Sequence, residues 1–288
     1  MKGKIFYIAL LFLLLYTQCS KEIEIDIPQN SARLVVNSLF SSDTIVKLNL
    51  SKSIFILDHG RPIVKNAQIK LYKDGVFLEN LSFDSQKYIS QTKPQRGSDY
   101  KITINVPEFP TLEAVNKVPE MPVLGQTQLE RNIYVEDNMV KFSRLKLQIE
   151  DISNGQDYYE VFLLERYNGN LLMDVSYHKN QDAVINNEGL IDYRPSSIIF
   201  SDELFNSSSY QLSIDFHFFK EESDLIIILR SISKEYYLYQ KYLTIHLHSQ
   251  DDDFWNGLGE PAQVYSNIRN GYGIFAAYSE VRDTILNQ

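Results

Sequence analysis

The sequence predicts a mainly β protein: an N-terminal Ig-like β-sandwich, then a second β-rich domain with one amphipathic helix near the C-terminus. Three observations carry this expectation. Apolar and polar residues alternate between Arg33 and Val106 and again between Arg144 and Phe219, the period-two mark of strands with one buried face. Four of the nine prolines, Pro107, Pro110, Pro119 and Pro122, fall between those two stretches. Only the segment from Ser233 to about His248 spaces its apolar residues as a helix does.

Ahead of the strands, Lys2 and Lys4 precede an apolar run from Ile5 to Leu15, about as long as a signal-peptide core and too short for a comfortable bilayer span. The single cysteine, Cys19, follows directly after Tyr16-Thr17-Gln18. This arrangement resembles a bacterial lipoprotein signal over residues 1–18, in which the thiol is diacylated and becomes the first mature residue. Several acyl chains on one residue give stable membrane anchoring, because each buried methylene adds to the transfer free energy. Ser20-Lys21-Glu22 also resembles the short charged signal that sends lipoproteins of the Bacteroidota to the outer leaflet of the outer membrane. Residues 19–32 are then a tether, and loss of Lys2 and Lys4 takes the formal charge from -9 to -11. One cysteine excludes a disulfide framework and any zinc site with more than one thiolate.

The expected Ig-like domain covers residues 33–106. Arg33-Leu34-Val35-Val36-Asn37 reads as a strand, Val46, Leu48 and Leu50 alternate with Lys47, Asn49 and Ser51, and Ile69 and Leu71 precede the turn signal Asp74-Gly75. Ile102, Ile104 and Val106 alternate with Lys101, Thr103 and Asn105. Proline cannot donate to a ladder, so residues 107–125 are expected to form a linker or an edge segment.

The second domain is expected over residues 126–288. Leu145, Leu147 and Ile149 alternate with Arg144, Lys146 and Gln148, and Asn168-Gly169 predicts a tight hairpin between Tyr158–Glu165 and Leu171-Leu172-Met173. Leu212, Ile214, Phe216 and Phe218 continue the pattern, and Leu225 to Leu229, flanked by Asp224 and Arg230, reads as one buried strand. Ser233 can cap the helix, with Glu235 well placed in its first turn. Beyond Asp251-Asp252-Asp253 lies a Gly-rich aromatic tail expected to end in a strand from Gly273 to Tyr278.

In order along the chain, Ile23-Glu24-Ile25-Asp26, Arg33-Leu34-Val35-Val36, Ser201-Asp202-Glu203-Leu204-Phe205, Ser231 to Tyr237, Glu260-Pro261 with Val264-Tyr265-Ser266-Asn267-Ile268, and Gly271 to Phe275 resemble one family. It is the Bacteroidota lipoprotein family called domain of unknown function 4249. The resemblance implies an extracytoplasmic lipoprotein, often encoded beside a TonB-dependent outer-membrane transporter, with an N-terminal Ig-like region. It implies no chemistry.

Catalytic motifs give little. There is no His-Glu-x-x-His, Gly-x-Ser-x-Gly, phosphate loop or dinucleotide fingerprint. Ser231-Ile232-Ser233-Lys234 matches Ser-x-x-Lys, but Ser-Asp-Asn and Lys-Thr-Gly are missing, so helix capping is the better account. His246 and His248 would chelate a metal only on a strand, where they share a face, and a solvated helix end is the preferred reading. The acidic run misses a calcium loop, since the fifth position from Asp251 is Trp255. No catalytic residue, cofactor or metal ligand is therefore assigned.

The acidic charge argues against nucleic acid, which needs clustered Lys and Arg. The 19 tyrosines suit sugars, peptides and protein partners, although most must fill cores. Trp255, Tyr265 and Tyr272, set among Gly257, Gly259, Pro261, Gly271 and Gly273, are the candidate contacts for a partner or ligand on turns. The expected function is non-enzymatic: a binding or accessory subunit of a TonB-dependent transporter for an unidentified nutrient, held in the outer membrane by Cys19, with a structural or adhesive surface role as the alternative. Asp43-Thr44-Ile45 and Asp283-Thr284-Ile285 also resemble short O-glycosylation acceptors.

Overall fold

Val46, Leu48 and Leu50 are buried and Lys47 and Asn49 between them exposed, so the sequence alternation becomes β2 (Lys47–Lys52). The computed structural model describes residues 31–55, 58–135, 140–151, 155–177, 182–190, 196–256 and 262–287. Cys19, the 1–18 signal stretch and most of the tether lie outside the described residues. Ala32–Gln288 form one compact unit, and it is mainly β.

One four-stranded sheet runs in the order β4 (Val76–Asn80), β3 (Gln68–Lys73), β7 (Asp99–Asn105), β8 (Leu112–Lys117). The Asp74-Gly75 turn joining β3 to β4 has φ of 50° and 80°, the doubly left-handed backbone that a two-residue hairpin demands. All four clustered prolines stay out of β8: two precede it, two follow it, and β8 is the edge strand of this sheet. Ile69, Leu71, Ile102 and Ile104 from this sheet merge into one core with Val36, Leu48 and Leu50. The latter three come from β1 (Leu34–Ser41) and β2, which continue through β6 (Lys87–Ile89) to β5 (Ser82–Asp84).

The second half repeats the two-layer plan. A sheet in the order β13 (Ser176–Tyr177), β15 (Ser209–His217), β10 (Lys141–Glu150), β9 (Val123–Val135) places Leu145 opposite Ile214 and Leu147 opposite Leu212. Its core is shared with β11 (Tyr158–Tyr167) and β16 (Asp224–Ile232), which supply Val161, Leu163, Leu225, Ile227 and Leu229. Along its other edge β11 pairs with β14 (Ile198–Ser201) at one end and β12 (Asn170–Asp174) at the other. The β11–β12 loop is Asn168-Gly169, with φ of 49° and 79°.

β17 (Tyr272–Ile285) joins the halves. Its first seven residues run parallel to Val35–Ser41 of β1, and residues 278–285 run antiparallel to Leu225–Ile232 of β16. Fourteen residues at about 3.3 Å each span roughly 46 Å, enough to reach across both cores. Phe275 and Ala277 face the first core, and Val281 and Ile285, of the same parity, pack on the second. The result is a nine-stranded sheet, within which the expected boundaries at 106 and 126 do not separate the strands.

The opposite parity, Ile274 and Ala276, is covered by α2 (Lys234–Asn256) through Tyr236 and Tyr237. Ser233 caps it, its Oγ accepting the Tyr236 amide at 3.3 Å. The helix runs eight residues past the expected end at His248, through three aspartates that a helix C-terminus disfavours. A shorter helix, α1 (Ala183–Glu188), was absent from the sequence reading although its caps are plain: Asp182 Oδ1 accepts the Val184 amide at 2.9 Å and Gly189 adopts φ 66°. Among the described residues no helix is long and apolar enough to cross a membrane.

Candidate functional site

A cleft of about 690 Å³ opens where the two halves meet. Its walls are the Pro119–Val123 segment, Glu150-Asp151 with Gln156–Tyr159, and the start of α2 at Ser233–Glu235. Asn116 of β8 fixes one wall: its Nδ2 donates to Glu235 Oε2 at 2.7 Å, and its Oδ1 accepts the Ala277 amide at 2.8 Å. Ser279 Oγ donates to the Pro119 carbonyl at 2.7 Å, tying the proline segment to β17. Five carboxylates line the cleft, Glu120, Glu150, Asp151, Asp157 and Glu235, against Lys117 and Lys234. The field inside therefore disfavours anions. Tyr158 presents an aromatic wall; its hydroxyl donates to Gln156 Oε1 at 3.0 Å, and its ring lies 4.7 Å from that of Tyr237.

Asp151 and Asp157 of the cleft and the buried Asp202 bring carboxylate oxygens within 4.8 Å of one another. Asp151 follows β10, Asp157 precedes β11, and Asp202 follows β14, so three strand ends converge here. The Asp202 amide donates to the Asp157 carbonyl at 3.1 Å, the Asp151 amide to the Ser208 carbonyl at 3.4 Å, and the Ser207 amide to Asp151 Oδ2 at 2.6 Å. Asp202 is completely buried, and neither of its carboxylate oxygens has a hydrogen-bond partner. Burial, reinforced by the charges of Asp151 and Asp157, pushes its carboxyl up to about 6.

The sequence-expected contact residues occupy three separate settings. Trp255 was expected on a turn, but its backbone belongs to the last turn of α2, and its side chain is outside the described residues. Tyr265 has no regular structure and packs against the cluster under α2. Tyr272, also expected on a turn, begins β17, is 43% exposed and lies 5.1 Å beneath the Arg33 guanidinium. His246 and His248 both sit on α2, where His246 Nδ1 is 2.7 Å from the Ala262 carbonyl. Thr44 and Thr284 are exposed.

The acidic cluster was missed from sequence because no local spacing joins Asp157 to Asp202; the one hint was Asp202 itself, inside the Ser201–Phe205 stretch that carried the family resemblance. The comparison with family models decides that resemblance: the model described as Domain of unknown function (DUF4249) matches residues 20–284. The chain belongs to this family. No curated protein matches it. The DUF4249 match starts one residue after Cys19 and takes in both halves, the cleft between them and all of α2.

Proposed function

We propose that this DUF4249 chain is an outer-membrane lipoprotein, held by acylated Cys19 and facing the cell exterior, that serves as a binding or accessory subunit of a TonB-dependent nutrient transporter. The observation supporting this reading is the open cleft of about 690 Å³ with an aromatic wall, a size and shape suited to a small ligand. Its excess of carboxylates favours a cationic or hydroxyl-rich nutrient over an anionic one. The reading is non-enzymatic, consistent with the Ser233 hydroxyl serving as a cap for α2.

The test is affinity purification of the lipidated protein from outer membranes. A β-barrel transporter should accompany it, and Cys19→Ala should move the chain to the soluble fraction. Purification without a transporter, or membrane retention unaffected by Cys19→Ala, overturns the reading. An adhesive role is the second reading, supported by the β3–β4 hairpin, whose tip exposes Val76 by 70% and Phe77 by 50%. In that case Phe77→Ser lowers attachment to cells or polymers and leaves transporter association unchanged.

A further inference from the structure

We propose that Asp151, Asp157 and Asp202 form a calcium site that clamps the ends of β10, β11 and β14 beneath the cleft. Three carboxylates alone would be unremarkable on a surface. Here, however, Asp202 is fully buried with both oxygens unpartnered, directed at the oxygens of the other two. A buried carboxylate without donors is unfavourable, and the two carboxylates beside it make its ionised form more so. A divalent cation resolves both problems at once, because it supplies positive charge and accepts several oxygens together.

The donor set selects the ion. All three groups offer oxygen, with neither His nor Cys in the cluster, which suits a hard cation and disfavours zinc or copper. Oxygens within 4.8 Å of one another are close enough to share one ion, and carboxylates brought together from three separate strand ends suit the flexible coordination of calcium better than the strict octahedron that magnesium demands. Asp151 and Asp157 also line the cleft, so water or a ligand oxygen can complete the six to eight positions calcium takes. The site does not depend on the transporter reading.

The test strips the full chain with a chelator and titrates it with CaCl₂, following heat and the thermal midpoint. One calcium ion per chain is expected, with a midpoint that rises on addition and a dissociation constant near the roughly 10⁻⁴–10⁻³ M of extracellular modules. Asp202→Asn should weaken binding about tenfold or more. Because that change removes a buried charge, it can raise the calcium-free midpoint by itself. Asp157→Asn, at a half-buried position, is the second variant and must also lose affinity. No uptake by the wild type at about 5 mM calcium overturns the proposal. Uptake unchanged in both variants places the ion elsewhere, and equal affinity for MgCl₂ overturns the assignment to calcium.

Discussion

Arg230 of β16 donates from Nη1 to Glu160 Oε2 of β11 at 3.2 Å, across a directly opposed antiparallel pair. Glu160 is completely buried and also accepts the hydroxyls of Ser197 and Tyr236, each at 2.7 Å. Arg230 donates from Nε to Glu280 Oε2 of β17 at 2.9 Å, and its guanidinium lies over the rings of Phe162 and Tyr278 at 4.5 and 4.3 Å. Three adjacent strands and the first turn of α2 therefore meet in one ionic network. Burial raises the Glu160 carboxyl, with the Arg230 charge opposing it.

Removing Glu160 takes away one of the two counter-charges of Arg230 and the acceptor of two hydroxyls. Glu160→Ala is expected to cost about 3 kcal/mol in urea unfolding, the low end for a broken buried pair, because Arg230 keeps Glu280 while Ser197 and Tyr236 lose their partner. Glu160→Leu combined with Arg230→Met should cost less than the sum of the two single changes. Strict additivity in that cycle would show the pair is not coupled.

Gly273 admits no side chain. Its φ is +99°, and a Cβ there would sit 1.9 Å from the Val36 carbonyl oxygen of β1. Gly273→Ala should therefore break the parallel β1–β17 pairing, losing at least the roughly 1–3 kcal/mol that such backbone strain costs. Gly75 is the control: φ is +80° but nothing lies within 4 Å of an added Cβ, so Gly75→Ala should cost only about 1 kcal/mol. Equal denaturation midpoints for the two variants would refute the close-approach argument.

This contrast marks what could be read from the sequence. Asp74-Gly75 and Asn168-Gly169 announced their hairpins because the backbone requirement is local. The strands around Leu48, Ile102, Leu147 and Ile214 were legible because each has one wet face, which forces alternation. β9 was not, since its residues are mostly half-buried and their pattern is blurred. Gly273 read both as a turn glycine and as the head of a strand; the strand is there, but its pairing with Val36, far away in the chain, is something no local pattern encodes. The acidic cluster was hidden for the same reason: Asp202 is informative only because tertiary packing buries it without a donor.

Asp224 should govern part of the acid sensitivity. Its Oδ1 accepts the Asn287 amide at 2.9 Å, and Oδ2 accepts Nε and Nη2 of Arg166 at 3.1 and 3.0 Å. The hydrogen bond from the Asn287 amide first, and then Arg166, hold its carboxyl below the usual range. A carboxyl depressed by folding adds stability that is present in full above its unfolded value, near 3.9, and lost as pH falls through its folded value. Asp224→Asn should thus cost at most about 1 kcal/mol at neutral pH, the pair being partly solvated, and nothing once both forms are protonated. A difference from the wild type that grows in acid has the wrong sign for this account.

Tyr265 and Tyr272 separate packing from contact. Tyr265 packs against the cluster of Tyr236, Tyr237, Ile274 and Ala276, and burial raises its hydroxyl above the ordinary tyrosine value. Tyr265→Ala should therefore cost about 2–3 kcal/mol, less than for a fully buried aromatic, and any loss of association should follow from loss of fold. Tyr272 presents its ring at the start of β17 with the Arg33 guanidinium above it, an exposed cation–π pair worth about 0.5–1 kcal/mol. If the surface beside β1 takes a partner, Tyr272→Ala weakens association while the melting temperature stays within a few degrees of wild type, about what a change below 1 kcal/mol produces in a domain this size. Normal association in a folded Tyr272→Ala variant removes this residue from the partner surface, whatever Tyr265→Ala does.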